Sequence, residues 1–271
     1  MQNNPSKPPV PEPPGPDIRL GAIIPTYRHT KALGSIITKM SAQNLPVLII
    51  DDGNDASLAR EIASFHDETR HVYVLRREIN GGKGAAVKTG LQKAGELEWT
   101  HAIQVDADGQ HDLDALDTMI TCSRMAPSAI ICGVPVYDSS IPKGRKIGRE
   151  VTHFWVRVET LSFEISDSMC GFRIYPLAET LAVMKREYIG ARMDFDTEIL
   201  VQLNWRGLRV VEHPVSVIYP AENVSNFRML RDNVRISLMH TRLALQMPLR
   251  VPIRMLRRAL SQRYPKPAPA E

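Results

Sequence analysis

A chain of 271 residues with 43% apolar side chains can build one large α/β domain or two small ones, and no apolar run approaches the ~20 residues needed to cross a bilayer. Its three cysteines, Cys122, Cys132 and Cys170, are scattered without a CxxC pair. That excludes a disulfide framework or a zinc site and reads as a reduced, cytosolic protein. Net charge is +4, yet Phe227 to Tyr264 holds nine arginines against one acid, Asp232, a local +8 that leaves the remainder at −4. A basic tail on a mildly acidic body suits a polyanionic partner, membrane lipid or nucleic acid.

The start, "MQNNPSKPPVPEPPGPD", lacks the charged and apolar regions of a signal peptide. Its prolines predict a disordered or extended leader over 1–17, outside the fold. "IRLGAIIP" (18–25) predicts a buried strand, followed by a helix over about 30–42. "PVLIID" (46–51) is a second strand with a helix near 56–66, and "HVYVLR" (71–76) a third. "GKGAAVKTGLQKAG" (82–95) opens a helix after two glycines. "THAIQV" (100–105) is the fourth strand, then come a helix over 112–125 and "AIICGV" (129–134). Such alternation predicts an α/β fold, a mainly parallel sheet covered by helices on both faces. Ligands of these sheets sit beyond the carboxyl ends of the strands. Asp52, Asn80, Asp106 and Asp108 all fall there.

After 135 the alternation stops. "VYDSSIPKGRKIGRE" is a polar, basic connection leading into a helix that runs to about 163. Phe154, Trp155 and Phe163, at helical spacing, read as core rather than a lipid groove. "SMCGFRIYP" (168–176) is a short strand, "FDTEILVQLNWRG" (195–207) a helix and "LRVVEHPVSVIYP" (208–220) a strand pair or bent strand. A last helix over about 227–247 is expected to break at Pro248 and Pro252. The domain therefore spans 18–247, and 248–271 forms a basic amphipathic segment and tail.

In "HAIQVDADGQHD" an apolar run ends in two carboxylates, Asp106 and Asp108. Acids that close repel each other unless something positive sits between them. Oxygen ligands at a strand end suit Mg²⁺ or Mn²⁺, while an Asp-rich turn capping the next helix is the plainer alternative. "NGGKGAAVKTG" lacks the G-x-x-x-x-G-K-[ST] spacing, but still makes a glycine turn into a helix N-terminus with Lys83 beside it, favourable for an anion.

Seven segments stand in register: "IIPTYR", "LIIDDGNDAS", "NGGKGAAVKTG", "QVDADGQHD", "DSMCGFRIYP", "FDTEILVQLNWRGLRVVEHPV" and "VSNF". Together, over roughly 20–240, they resemble the family-2 glycosyltransferases, most of all the polyprenyl-phosphate mannosyl- and glucosyltransferase branch of the dolichyl-phosphate mannose synthase type. The ending also resembles bacterial glycosyltransferases of aryl-polyene lipid pathways. The resemblance implies a GT-A fold with a Rossmann-like, nucleotide-binding N-terminal half, a GDP- or UDP-hexose donor, a divalent cation and inversion at the anomeric carbon. It carries Pro25, Tyr27, Ile50 and Asp52 to the nucleoside, and Asp106, Ala107, Asp108 and Gln110 to the metal and diphosphate, with Asp108 a direct ligand. Glu198 matches the acid of the acceptor-side helix. Two positions depart from the pattern: Arg28–His29 replaces the acid after P-T-Y-N, and Asn226 replaces the basic residue after the late serine. Clamping of the donor phosphates then falls to Lys83 or Arg228.

The expected acceptor is lipid-linked, either a polyprenyl phosphate or a lipid or aryl hydroxyl. An ionised phosphate attacks without a base, whereas a hydroxyl needs a carboxylate in reach, for which Asp196 or Glu198 is preferred. For a phosphate, Arg145 and Arg149 at i, i+4 could face one anion, with Arg173 pairing internally with an acid such as Asp167. His101, His111, His153, His213 and His240 show no metal-ligand spacing and read as structural or surface residues. The expected location is the cytoplasm, with the basic tail either resting on the inner face of an anionic membrane or packing against the body or lying in solvent. Two rivals remain open at this point. A nucleotidyltransferase would use the same acidic pair on a triphosphate, and a non-catalytic protein would bind nucleic acid through its arginines; the second is not expected, because aromatics are few and the acids cluster where a site should be.

Overall fold

The computed structural model describes residues 17–136, 143–217 and 227–263, with side chains described throughout these except at 143–147 and 260–263. The proline-rich leader, the tail beyond 263, and Ser225 and Asn226 lie outside the described residues.

Seven strands form one sheet in the order β3-β2-β1-β4-β6-β5-β7. They are β1 (Leu20–Thr26), β2 (Val47–Asp52), β3 (Val72–Arg77), β4 (His101–Gln104), β5 (Ile130–Val136), β6 (Arg173–Pro176) and β7 (Val210–Ser216). Only β6 runs against its neighbours. Period-two alternation divides the core: Ile23, Leu48 and Ile50 point to one face, Ala22, Ile24, Val47 and Ile49 to the other. Each face is then covered by helices, as a mainly parallel sheet requires.

Helices α1 (Leu33–Ala42), α2 (Ala56–Ala63) and α4 (Leu116–Met125) follow β1, β2 and β4, and all three contribute to the second core. Asp55 caps α2, its Oδ1 accepting from Ser57 N and Leu58 N at 3.0 Å each. On the first face lie α3 (Lys83–Glu96), α6 (Leu177–Arg186) and α7 (Phe195–Trp205), with α5 (Lys143–Thr160) and α8 (Met229–Arg263) packed beyond. Every residue of α7 is buried, so its acids and amides must find partners inside the protein.

The strands and helices up to β5 stand where the sequence places them, within a few residues. Three features differ. Helix α6 is an additional element, whereas the one strand described within 208–217, β7, agrees with the bent-strand alternative rather than the pair. Helix α8 runs through Pro248 and Pro252 instead of breaking there. Each proline costs about 3 kcal/mol in a helix interior, but Met239 and Leu243 before them, Val251 between them and Arg254 after them are buried. Packing of both halves outweighs the two lost backbone bonds. Finally, Phe154 and Phe163 are 58% and 86% exposed and Trp155 is only partly covered, so neither the α5 aromatics nor Phe163 just beyond that helix are core.

Gly90 shows how closely α3 sits on the sheet. A Cβ there would overlap Ile23 Cγ2 and approach Ile50 Cγ1 to 3.3 Å. Overpacking costs about 1–3 kcal/mol, more than the roughly 1 kcal/mol that alanine gains over glycine in a helix. Gly90→Ala should therefore destabilise the fold, seen as a lower denaturant midpoint at unchanged slope.

Candidate active site

The chain runs β1, β2, β3 toward one edge and then returns to β4 on the other side of β1. Loops leaving neighbouring strands in opposite directions open a crevice at such a switch point. The loop after β4 closes against the start of α1: Gly109 has φ of +70°, and a Cβ on it would come within 2.8 Å of the Ala32 Cβ.

Asp52, at the end of β2, accepts four hydrogen bonds. Its Oδ1 takes Arg77 Nε at 2.8 Å and Gly81 N at 3.0 Å; its Oδ2 takes Gly82 N at 2.8 Å and Asn80 Nδ2 at 3.0 Å. The carboxylate thus fixes the glycine turn that begins α3. Its neighbour Asp51 accepts from Arg76 at 2.8 Å and from the Asn54 side chain at 2.7 Å, tying β2 to β3 and to the loop before α2.

That turn delivers Lys83 to the centre of the crevice. Its Nζ lies 2.7 Å from Asp106 Oδ2 and 2.8 Å from Asp196 Oδ2. Burial works against charge on Lys83, but Asp106 and Asp196 outweigh it and hold its pKa well above the ordinary lysine value. Burial would likewise favour neutral Asp106, and Lys83 together with His111 overcomes it, keeping that carboxyl well below the usual range. Asp196 is held from behind: Gln104 Nε2 donates to its Oδ1 at 3.1 Å, and Tyr175 OH donates to Gln104 Oε1 at 3.2 Å. Gly171 closes the other side, since a Cβ on it would lie 2.5 Å from Lys83 Nζ and 2.9 Å from Asp106 Oδ1.

The remaining expected residues divide by position. Asp108 and Gln110 line the loop after β4, half-buried, with Gln110 N donating to Asp108 Oδ1 at 3.1 Å. Ala107 is buried against the second core. Pro25 and Tyr27 border the crevice at the end of β1, with the Arg28 guanidinium 5.1 Å from the Tyr27 ring. The Ile50 side chain is wholly in the core and does not reach the crevice. Arg149 pairs with Asp167, whose Oδ1 accepts from Met169 N and Cys170 N at 2.8 Å, so the pair positions the loop that carries Gly171. The side chain of Arg145 lies outside those described.

Asp196 and Glu198 have different surroundings. Asp196 touches Lys83 in the crevice, whereas Glu198 is fully buried, accepting from Arg242 of α8 and from Gly190 N at 2.7 Å. Burial pushes the Glu198 carboxyl above the usual range against the pull of Arg242. Arg173 does not pair with Asp167: wholly buried, it donates to the Ser168 and Asp196 carbonyls, bracing the start of α7. His111, expected to be structural or at the surface, instead stands 3.4 Å from Asp106 Oδ2, stacked on Phe172. Gln104, Tyr175, Gly171 and His111 are the site residues the sequence reading missed; only the strand-end position of Gln104 and the place of His111 within "DADGQH" carried any signal.

The oxygen set Asp106, Asp108 and Gln110 suits a hard divalent cation, and Asp106 Oδ1 is a buried oxygen without a hydrogen-bond partner. Among the described residues no three His, Cys, Asp or Glu side chains converge as a ready-made metal cage. A cation held here would keep positions for water or for phosphate oxygens.

Helix α8 has two faces. Met239, His240, Leu243, Val251 and Arg254 are buried, while Leu230, Val234, Leu238, Leu245, Leu249, Ile253 and Leu256 are exposed on the opposite side. Arg231, Arg235, Arg242 and Arg257 border that apolar stripe, and Val151 and Phe154 of α5 add to the exposed apolar surface. No helix among the described residues is long and apolar enough to cross a membrane.

Known proteins agree with this geometry. Over 213 residues the chain is 24% identical to a UDP-N-acetylglucosamine–dolichyl-phosphate N-acetylglucosaminyltransferase of Methanococcus voltae, covering 73% of this chain and 84% of that protein. It is 24% identical over 208 residues to an undecaprenyl-phosphate mannosyltransferase of Micrococcus luteus, covering 74% and 84%. Its fold matches that of glucosyl-3-phosphoglycerate synthase from Mycobacterium tuberculosis, solved with Mn²⁺, UDP-glucose and phosphoglyceric acid, at a TM-score of 0.58 and 10% identity over 87% of this chain and 80% of that one. This is the GT-A architecture. The glycosyl transferase family 2 profile matches residues 22–191, more than half the chain, and the protein belongs to that family as a glycosyltransferase.

Proposed function

We propose that this enzyme moves a hexose from a nucleoside-diphosphate sugar to the phosphate of a membrane-borne polyprenyl carrier, with inversion at the anomeric carbon and with Mg²⁺ or Mn²⁺ bound at Asp106, Asp108 and Gln110. One juxtaposition carries the reading: an anion-ready glycine turn ending in Lys83 lies across the β1/β4 switch point from the Asp106–Asp108 loop. The acceptor class draws on the named lipid-phosphate substrates of the two relatives and on the apolar, arginine-edged outer face of α8.

In this reading the nucleoside lies along the ends of β1 and β2, against Pro25, Tyr27 and the Ile50 main chain, while Asp52 sets the turn beneath the phosphates. A bound divalent cation supplies Lewis acidity to the departing diphosphate, a contribution of several kcal/mol. Lys83, at the N-terminus of α3, adds charge-assisted hydrogen bonds to that leaving group. An acceptor phosphate is already ionised near neutral pH, so Asp196 need not take a proton; it orients Lys83 and bounds the reaction pocket. Glu198 acts from behind α7, through Arg242. For a hydroxyl acceptor, Asp196 would be the base, because it reaches the crevice and Glu198 does not.

The outer face of α8 would lie on an anionic lipid surface, its stripe buried in the interface and each nearby arginine contributing about 1 kcal/mol. The test is transfer of radiolabelled hexose from GDP-mannose, UDP-glucose and UDP-N-acetylglucosamine into polyprenyl phosphate in vesicles containing anionic lipid, with Mn²⁺ and with chelator. Label entering the lipid from one donor, and lost with chelator, is the expected result. Label entering only a polyprenol or aryl-lipid hydroxyl would overturn the phosphate-acceptor assignment.

A further inference from the structure

Lys83 occupies an unusual place for a phosphate ligand: it bridges two carboxylates that come from different elements, Asp106 after β4 and Asp196 in the first turn of α7. The contact is enclosed. Gly171 lies against the ammonium with no room for even a methyl group, and Lys83 and Asp106 side chains are only 18% and 20% exposed. The other oxygen of Asp106 is buried with no hydrogen-bond partner among the described residues. An ammonium and a divalent ion would share the same carboxylate, and two cations within a few ångströms repel strongly where water is scarce.

We infer that Lys83 is a resident counter-cation that holds the metal locus while no donor is present and moves onto the donor's diphosphate when that donor arrives with its metal. This rests on the donor-site reading above and goes beyond it, by assigning Lys83 a role in the order of loading. Three features of the chain support it. The backbone of Lys83 is fixed by the Asp52-braced glycine turn, whereas its side chain has four rotatable bonds. Without it Asp106 and Asp196 would face each other as like charges, with only His111, 3.4 Å from Asp106, and the neutral Gln104 amide on Asp196 to offset them. And among the described residues no three acidic, His or Cys side chains form a complete cage, which leaves coordination positions for the oxygens of a diphosphate. Lys83 thereby disfavours metal alone and favours metal together with diphosphate. It is a positioning residue for both.

The test reads metal binding, not turnover. Free Mn²⁺ is followed by electron paramagnetic resonance as protein is added, with and without GDP or UDP, for the wild type, Lys83→Met and Lys83→Arg. Wild type should bind Mn²⁺ weakly alone and at least tenfold more tightly with its matched diphosphate. Lys83→Met should bind Mn²⁺ alone at least tenfold more tightly than wild type and lose most of the diphosphate-dependent gain. Lys83→Arg, which keeps the charge, should stay weak on metal alone. If the wild type shows the diphosphate gain but Lys83→Met binds metal alone no better, the counter-cation idea is wrong and the donor site stands. If neither diphosphate promotes Mn²⁺ binding by folded wild type, both fall.

Discussion

Asp108→Asn should lower hexose transfer by two to three orders of magnitude while barely moving the thermal midpoint. The site explains the separation. Asp108 is half-buried, and the hydrogen bond it accepts from Gln110 N at 3.1 Å can be accepted equally by the asparagine Oδ1. What the substitution removes is negative charge from the oxygen set proposed to hold the divalent cation. Metal stabilisation of a departing diphosphate contributes several kcal/mol, and each ~1.4 kcal/mol is a factor of ten in rate. Turnover at saturating donor and metal, beside a thermal melt, checks it. A variant with more than a third of wild-type turnover would remove Asp108 from the metal set.

The second large effect is expected at the outer face of α8. Leu238 and Leu245 are 61% and 76% exposed on the stripe of α8, away from the core that Met239 and Leu243 enter. Leu238→Glu with Leu245→Glu should reduce partition onto anionic vesicles by two orders of magnitude or more. Burying a leucine is favourable by about 1.5–3 kcal/mol, so losing two accounts for that drop before any charge repulsion is added. The signature is selective: KM for vesicle-borne acceptor rises, while diphosphate binding and transfer to a short, water-soluble polyprenyl phosphate stay as in the wild type. Co-sedimentation with vesicles and the two KM values decide it. If the doubly substituted protein still sediments with vesicles, α8 is not the docking face.

Both experiments concern parts of the molecule that were unequally legible in the sequence. The alternation of short apolar runs with helical ones determined the mainly parallel sheet, because strands buried on both faces must be apolar throughout and need helical crossovers. It also put Asp52, Asn80, Asp106 and Asp108 at the carboxyl ends of strands, as the structure has them. Seven motifs in register pointed to the family that the chain belongs to. Turn chemistry was equally local: the glycines before α3 announced a helix N-terminus with a lysine at its first residue.

Contacts across large sequence separations were decided only by tertiary structure. Nothing local brings Lys83 to Asp196 or Arg242 to Glu198, residues separated by 113 and 44 positions. Those pairs exist because α7 is buried on every side, and its acids must be met by whatever cation the packing supplies. The same packing carried α8 through two prolines that local propensity treats as a stop, and turned Phe154 and Phe163 outward although their spacing suggested a core. A periodic pattern reports that a helix has an apolar side. Whether that side meets the protein or its surroundings depends on which surface the rest of the chain has already covered.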